Sequence, residues 1–247
     1  MSLRDHHQRS GEALFRWRSY PPLLLVLLVA AVAFIPVQVH LFDDRFQESW
    51  EVVCLLVGVT GLAIRAWVIG HAPRGTSGRN TSRQIAEVLN TTGLYSLVRH
   101  PLYVGNFLMW LGPILVLRSP WAALVMLLAF WLYYERIMYA EEEFLERTFG
   151  EAWSSWAGRT PAVVPSFKHW TPDPLPFSLR NVLKREYSGV LAVALGFGFA
   201  DWVDDYSTFH RLVPDTLTLA VLGGGLAAFV VLRTLKKRTS LLEVAGR

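Results

Sequence analysis

One cysteine, Cys54, occurs among 247 residues. No disulfide can form within the chain, and a cysteine-built zinc site is excluded. Cys54 lies in an apolar run, where desolvation suppresses the thiolate, so it reads as packing and not as a nucleophile. No G-x-G-x-x-G follows a predicted strand, which removes the usual dinucleotide fingerprint. No internal repeat or low-complexity tract stands out. Charge is scarce over long stretches: 20–42, 102–117, 120–134 and 216–232 carry none, and 50–71 carries only Glu51 and Arg65. About 20 apolar residues at roughly 1.5 Å each cross a bilayer core of about 30 Å. Several such runs exclude an ordinary soluble enzyme and a disordered chain.

The expected architecture is all-α and polytopic, with about six transmembrane helices near 20–42, 50–71, 102–117, 119–138, 187–203 and 214–233. The uncharged run after the four Arg of the first 19 residues is too long for a signal-peptide core, and no small-residue cleavage site follows. It reads as a retained first span. Lys and Arg accumulate on the cytoplasmic side of membrane proteins. Here 20 fall in the N-terminal tail, 72–101, 135–186 and the tail from Arg233, against three (Arg45, Arg118, Arg211) in the opposite loops. Both termini are therefore expected in the cytoplasm, with the bacterial inner membrane the natural location. The net charge of +4 follows from this bias and from contact with anionic lipid; no nucleic acid is expected as partner. Three units follow: 1–49, a tail and first span; 50–169, a core; and 170–247, an extension with two spans.

Polar residues gather in two cytoplasmic segments. In 72–101, Thr81 with Gln84 fits a capping box and predicts a short helix over 82–89 that Gly93 ends. In 135–186 the fourth helix runs on beyond the membrane surface: Trp121–Phe149 contains no Gly or Pro, and Gly150 suits a C-cap. The Pro-rich stretch from Pro161 to Pro176 reads as a connector.

Two polar sets flank the hairpin of the third and fourth spans. The first runs through Tyr95, Arg99, His100, Pro101, Tyr103, Gly105 and Asn106. Pro101 suits a first helical turn and keeps His100 extended, so Arg99 and His100 stand at an electropositive helix N-terminus. The second comprises Glu141, Glu142, Leu145, Phe149 and Gly150. A short hairpin brings both sets to one membrane face. Taken singly, a histidine before a helix or a run of glutamates is more often a solvated surface; the pairing of the two sets is what points to chemistry.

Arg99-His100-Pro101-x-Tyr103-x-Gly105, followed by Glu141-Glu142-x-x-Leu145-x-x-x-Phe149-Gly150, resembles the signature of the isoprenylcysteine carboxyl methyltransferases, which phospholipid methyltransferases share in part. The resemblance covers about 55–166. It implies an integral membrane enzyme that uses S-adenosylmethionine without a Rossmann domain. The cofactor would sit in a cytoplasmic pocket made by Tyr95, Arg99, His100, Pro101, Tyr103, Gly105, Asn106, Glu141, Glu142 and Leu145. Arg99, His100 and Glu142 are the expected catalytic residues. Where the family commonly has two tyrosines after Phe-Gly, this chain has Trp153 and Trp156.

The expected reaction is methyl transfer to a membrane lipid or lipidated acceptor, by O-methylation of a carboxylate or phosphate. Alternatives are N-methylation of a phospholipid amine and a non-enzymatic scaffold that keeps the motif. A transporter is disfavoured because the ionisable residues gather at one face, not at the midplane. Arg65 either snorkels to the interface or binds an anionic acceptor group. No metal site is expected.

Overall fold

The computed structural model describes residues 3–16, 47–73, 86–211 and 215–246, with isolated positions between 23 and 31. Most of the expected first span and half of the predicted 82–89 helix lie outside these. The described part of the latter, 86–90, is not helical. Among the described residues all regular structure is helical, as expected. Seven α-helices follow in order: α1 (Leu3–Arg16), α2 (Gln47–His71), α3 (Pro101–Val116), α4 (Pro120–Phe149), α5 (Glu151–Ala157), α6 (Leu179–Phe209) and α7 (Thr216–Arg238). Short 3-10 turns occupy Gly93–Ser96 and Phe167–His169.

Three helices, α2, α4 and α7, are both long and apolar enough to cross a membrane. Their apolar side chains remain exposed along one face, as Leu56, Leu128 and Leu226 illustrate, which suits lipid contact and not water. α3 is apolar but has 16 residues, about 24 Å. α6 is longer than its uncharged run suggests. It continues through Asp201, Asp204 and Asp205 to Phe209, and tertiary partners hold some of those acids. The clearest is Arg118, whose Nη2 lies 2.7 Å from Asp204 Oδ2 with both side chains buried. Of the six expected spans, the described residues show three helices that qualify, one short apolar helix and one long helix interrupted by acids.

Helix packing follows side-chain size. α2 and α3 make the closest pairing, because glycines face each other across it. A methyl group on Gly105 would meet Arg65 Cγ at 2.6 Å and the Gly61 carbonyl at 2.8 Å; one on Gly112 would meet the Cys54 carbonyl at 2.6 Å. Small residues that let backbones touch are the usual device where lipid removes the hydrophobic drive. α3 and α4, the predicted hairpin, are joined by Leu117-Arg118-Ser119 but stand further apart. Large rings fill the gap: Phe107 on Phe130 at 5.3 Å and Tyr103 on Tyr134 at 4.8 Å. Ser119 caps α4 by accepting from Ala122 N, and α4 ends at Gly150, whose φ of 52° makes the turn.

The N-terminal tail forms α1, which docks along α4. Tyr133 donates to the Leu14 carbonyl at 3.4 Å, and Arg147 donates to Gln8 Oε1 at 3.0 Å.

Candidate active site

The site is built from one helix start and one helix end. Pro101 begins α3 with no N–H to lose, and His100 immediately before it has φ −122° and ψ 58°, non-helical but short of the extended conformation the sequence predicts. The C-terminal turns of α4 bring its glutamates over that start. His100 Nε2 lies 2.8 Å from Glu142 Oε1, and His100 Nδ1 lies 3.8 Å from Glu141 Oε2. Arg99 Nε approaches Glu142 Oε1 at 3.3 Å but completes no hydrogen bond. Tyr103 donates to Glu141 Oε1 at 2.7 Å and stacks on the His100 ring at 5.7 Å between centroids. His100 is buried, whereas both glutamates keep about a quarter of their side chains exposed. The cluster therefore has a sealed base and an open, anionic rim.

Glu143 belongs elsewhere. It is buried on the α1-facing side, taking hydrogen bonds from Tyr139 at 3.3 Å and Arg147 at 3.1 Å. Leu145 is half-buried one turn beyond the Glu141–Glu142 pair, on the same helix face.

Tyr95 lies in the 3-10 turn. Its carbonyl accepts from Trp156 Nε1 at 3.1 Å. Burial, and then the nearby Glu141 charge, push its phenol well above the ordinary value, so it is a neutral hydrogen-bonding group.

The stretch after α5 is more than the connector its prolines suggest. Residues 160–172 strap alongside 93–100. Arg99 N donates to the Pro161 carbonyl at 2.9 Å, Ser166 N to Leu97 at 2.9 Å, and Gly93 N to Thr171 at 2.7 Å. Prolines permit this because the strap offers carbonyls, which they retain. Gly93 has φ 57°, and the Asp173 carboxylate sits where a side chain would be, so no other residue fits. A cavity of about 300 Å³ opens beside the strap, lined by Ser96, Trp156, Arg159, Thr160, His169 and Thr171. It adjoins the segment carrying Arg99 without including the His100–Glu142 cluster.

A second network lies below the first. Arg65 grips Glu186 with both ends of its fork, Nε to Oε2 at 3.0 Å and Nη2 to Oε1 at 2.7 Å. Its Nη1 donates to Asn106 Oδ1 at 2.7 Å, and Asn106 in turn donates to Tyr134 at 3.1 Å. The sequence-predicted residues thus form two connected groups: Arg99, His100, Tyr103, Glu141 and Glu142 at the surface, Arg65 and Asn106 deeper. Pro101 and Gly105 shape the backbone that links them.

Sequence reasoning missed Glu186 and Tyr134. Tyr134 was available, since it lies seven residues before Glu141 on the same helix face. Glu186 gave no local signal; it reads as a solvated charge near the start of α6.

Fold and site together define a membrane protein, helical throughout its described residues, with a charge cluster at the junction of two helix ends. The family model described as phospholipid methyltransferase matches residues 51–152. A probable protein-S-isoprenylcysteine O-methyltransferase of Oryza sativa subsp. japonica is 30% identical over 51% of this chain and 67% of its own. The chain belongs to this isoprenylcysteine carboxyl methyltransferase-like family. It is also similar to the nickel-cobalt-cadmium resistance protein NccN of Alcaligenes xylosoxydans xylosoxydans, at 30% identity over 60% of this chain and 62% of that one. The cobalt-zinc-cadmium resistance protein CzcN of Cupriavidus metallidurans is 34% identical over 54% and 60%. The chain thus spans about three fifths of the length of these two relatives. No solved structure matches it.

Proposed function

We propose that the chain is an S-adenosylmethionine-dependent methyltransferase acting on a lipidic acceptor at the cytoplasmic face of a bacterial inner membrane, with both termini cytoplasmic. The observation that carries this reading is the meeting of Arg99 and His100 with Glu141 and Glu142 at two helix ends. The donor set fits the cofactor. Two quarter-exposed carboxylates and the Arg99 guanidinium beside them offer both charge signs to a zwitterionic amino-acid moiety. When bound, S-adenosylmethionine supplies an electrophilic methyl group on a sulfonium.

The chain's own residues then have separable tasks. Glu141 and Glu142 hold the ammonium and ribose hydroxyls. Arg99 meets the carboxylate, supported by the α3 N-terminus. Tyr103 and His100 fix the glutamates from beneath. Nucleophile and methyl carbon must be held about 3–3.5 Å apart and in line. A carboxylate or phosphate acceptor is ionised at neutral pH and needs no base. For an amine acceptor, His100 is the group placed to take the proton.

Arg65 uses three of its five N–H donors on Glu186 and Asn106. The remaining two are available to an anionic group entering from the bilayer, so we retain Arg65 as an acceptor contact, oriented by Glu186. The names of NccN and CzcN favour a second reading at the level of physiology: the methylated product serves tolerance of divalent transition metals. That reading changes the purpose of the reaction, not its chemistry.

The test is transfer of labelled methyl from S-adenosylmethionine into host lipid extract by the purified chain. O-methylation of a carboxylate predicts a label released by mild alkali. An alkali-stable label on an amine would replace the acceptor assignment, and no label with any extract would favour a scaffold.

A further inference from the structure

At the far end of α3 from the methyl-transfer site, three carboxylates meet. Glu51 comes from the first turns of α2, Asp201 from the last third of α6, and Asp215 from the position just before α7. One oxygen of each lies within 4.8 Å of the others. Glu51 and Asp201 are almost completely buried, at 5% and 2% exposure. Among the described residues none of the three is ion-paired. The buried guanidinium at this end, that of Arg118, is already held by Asp204 at 2.7 Å.

Local hydrogen bonding accounts for part of the cluster only. Asp215 caps α7 by accepting from Thr218 N at 2.7 Å, and Gln47 faces Glu51. Two buried oxygens are left over. Asp201 Oδ2 has no hydrogen-bond partner. Thr218 Oγ1, on a residue with 0% exposure, faces the same carboxyl without completing a hydrogen bond. A buried polar oxygen without a partner is uncommon in native proteins and calls for an explanation. Three adjacent carboxylates in low dielectric repel strongly unless something positive stands among them. A cation between them answers both points.

We propose that Glu51, Asp201 and Asp215, with the Thr218 hydroxyl, bind one divalent cation. An all-oxygen set, rich in carboxylate and free of thiol and imidazole, selects the hard ions, magnesium, manganese or calcium. The ion ties α2 of the core to α6 and α7 of the C-terminal extension. It gives residues 170–247 a structural function at the outer end, to match the Arg65–Glu186 clamp at the inner one. The sequence could not show this site, because Glu51 and Asp201 are separated by most of the chain and only Asp215 and Thr218 are locally spaced.

Manganese is the probe, since its electron paramagnetic resonance signal reports the bound ion directly. The full chain in detergent, stripped with chelator, should take up one equivalent of manganese in a saturable transition, with a rise in thermal midpoint. Asp215→Asn is the key variant: asparagine caps a helix as well as aspartate does, so the fold is kept while one ligand charge is lost. It should weaken manganese binding at least tenfold, as should Asp201→Asn. Glu243→Gln, remote and exposed, should not. Absence of saturable uptake by the folded wild-type chain overturns the proposal. So does uptake that Asp215→Asn and Asp201→Asn leave unchanged, because the ion then sits elsewhere.

Discussion

His100 and Glu142 are 42 residues apart in the chain and 2.8 Å apart in space, Nε2 to Oε1. A helix start and a helix end, each unremarkable alone, become one polar site through this contact. Tyr103 extends it one turn into α3 by its bond to Glu141. Tyr103→Phe keeps the ring stack and deletes that bond. A hydrogen bond is worth about 1 kcal/mol net where solvent still reaches one partner. Affinity for the demethylated cofactor should therefore fall roughly fivefold, read by calorimetry.

Arg65 and Glu186 form the deeper pair, and Glu186 is 3% exposed. Arg65→Ala strands a buried carboxylate, which typically costs about 3–5 kcal/mol. The single variant should show a markedly lowered thermal midpoint, and Arg65→Ala combined with Glu186→Gln should recover much of it. A midpoint that does not recover would mean that the two side chains are not coupled.

In that double variant the acceptor role of Arg65 becomes measurable apart from folding. Losing one charge-assisted contact costs about 1.5–3 kcal/mol, which is roughly a 10- to 150-fold higher acceptor requirement. Donor affinity should stay nearly constant. Arg65→Lys should restore only part of the acceptor use, since a point charge cannot reproduce a fork. Unchanged acceptor dependence in steady-state kinetics would leave Arg65 as a purely structural partner of Glu186.

Orientation rests on the distribution of Lys and Arg, 20 against three. Cysteine placed at Ser49 or Ser207 should react with an impermeant reagent in intact cells, whereas cysteine at Ser240 should not. The native Cys54 is fully buried and gives little background. Reversed labelling would put the His100–Glu142 site on the outer face.

What the sequence made legible was local. Helix α4 could be read to its end because nothing between Trp121 and Phe149 breaks a helix and Gly150 stops it. The motif residues could be paired because a three-residue turn leaves the two helices no choice of side. What stayed hidden depended on distant partners. Asp204 looks like the end of a span until Arg118 is in place to hold it. The Pro161–Pro176 stretch looks like a connector until residues 93–100 supply N–H donors for its carbonyls. The helix expected over 82–89 rested on a capping box alone, and its described part, 86–89, is not helical.

The central claim is that the donor is held where Arg99 and His100 meet Glu141 and Glu142. Calorimetric binding of S-adenosylhomocysteine to the folded wild-type chain and three variants tests it most directly. Glu142→Gln and His100→Ala should each weaken binding by about tenfold or more, the loss of one charge-assisted hydrogen bond. Glu143→Gln should bind as the wild type does, because Glu143 faces α1 and Arg147. Equal affinity in all four proteins would contradict the account and move the donor to another part of the molecule.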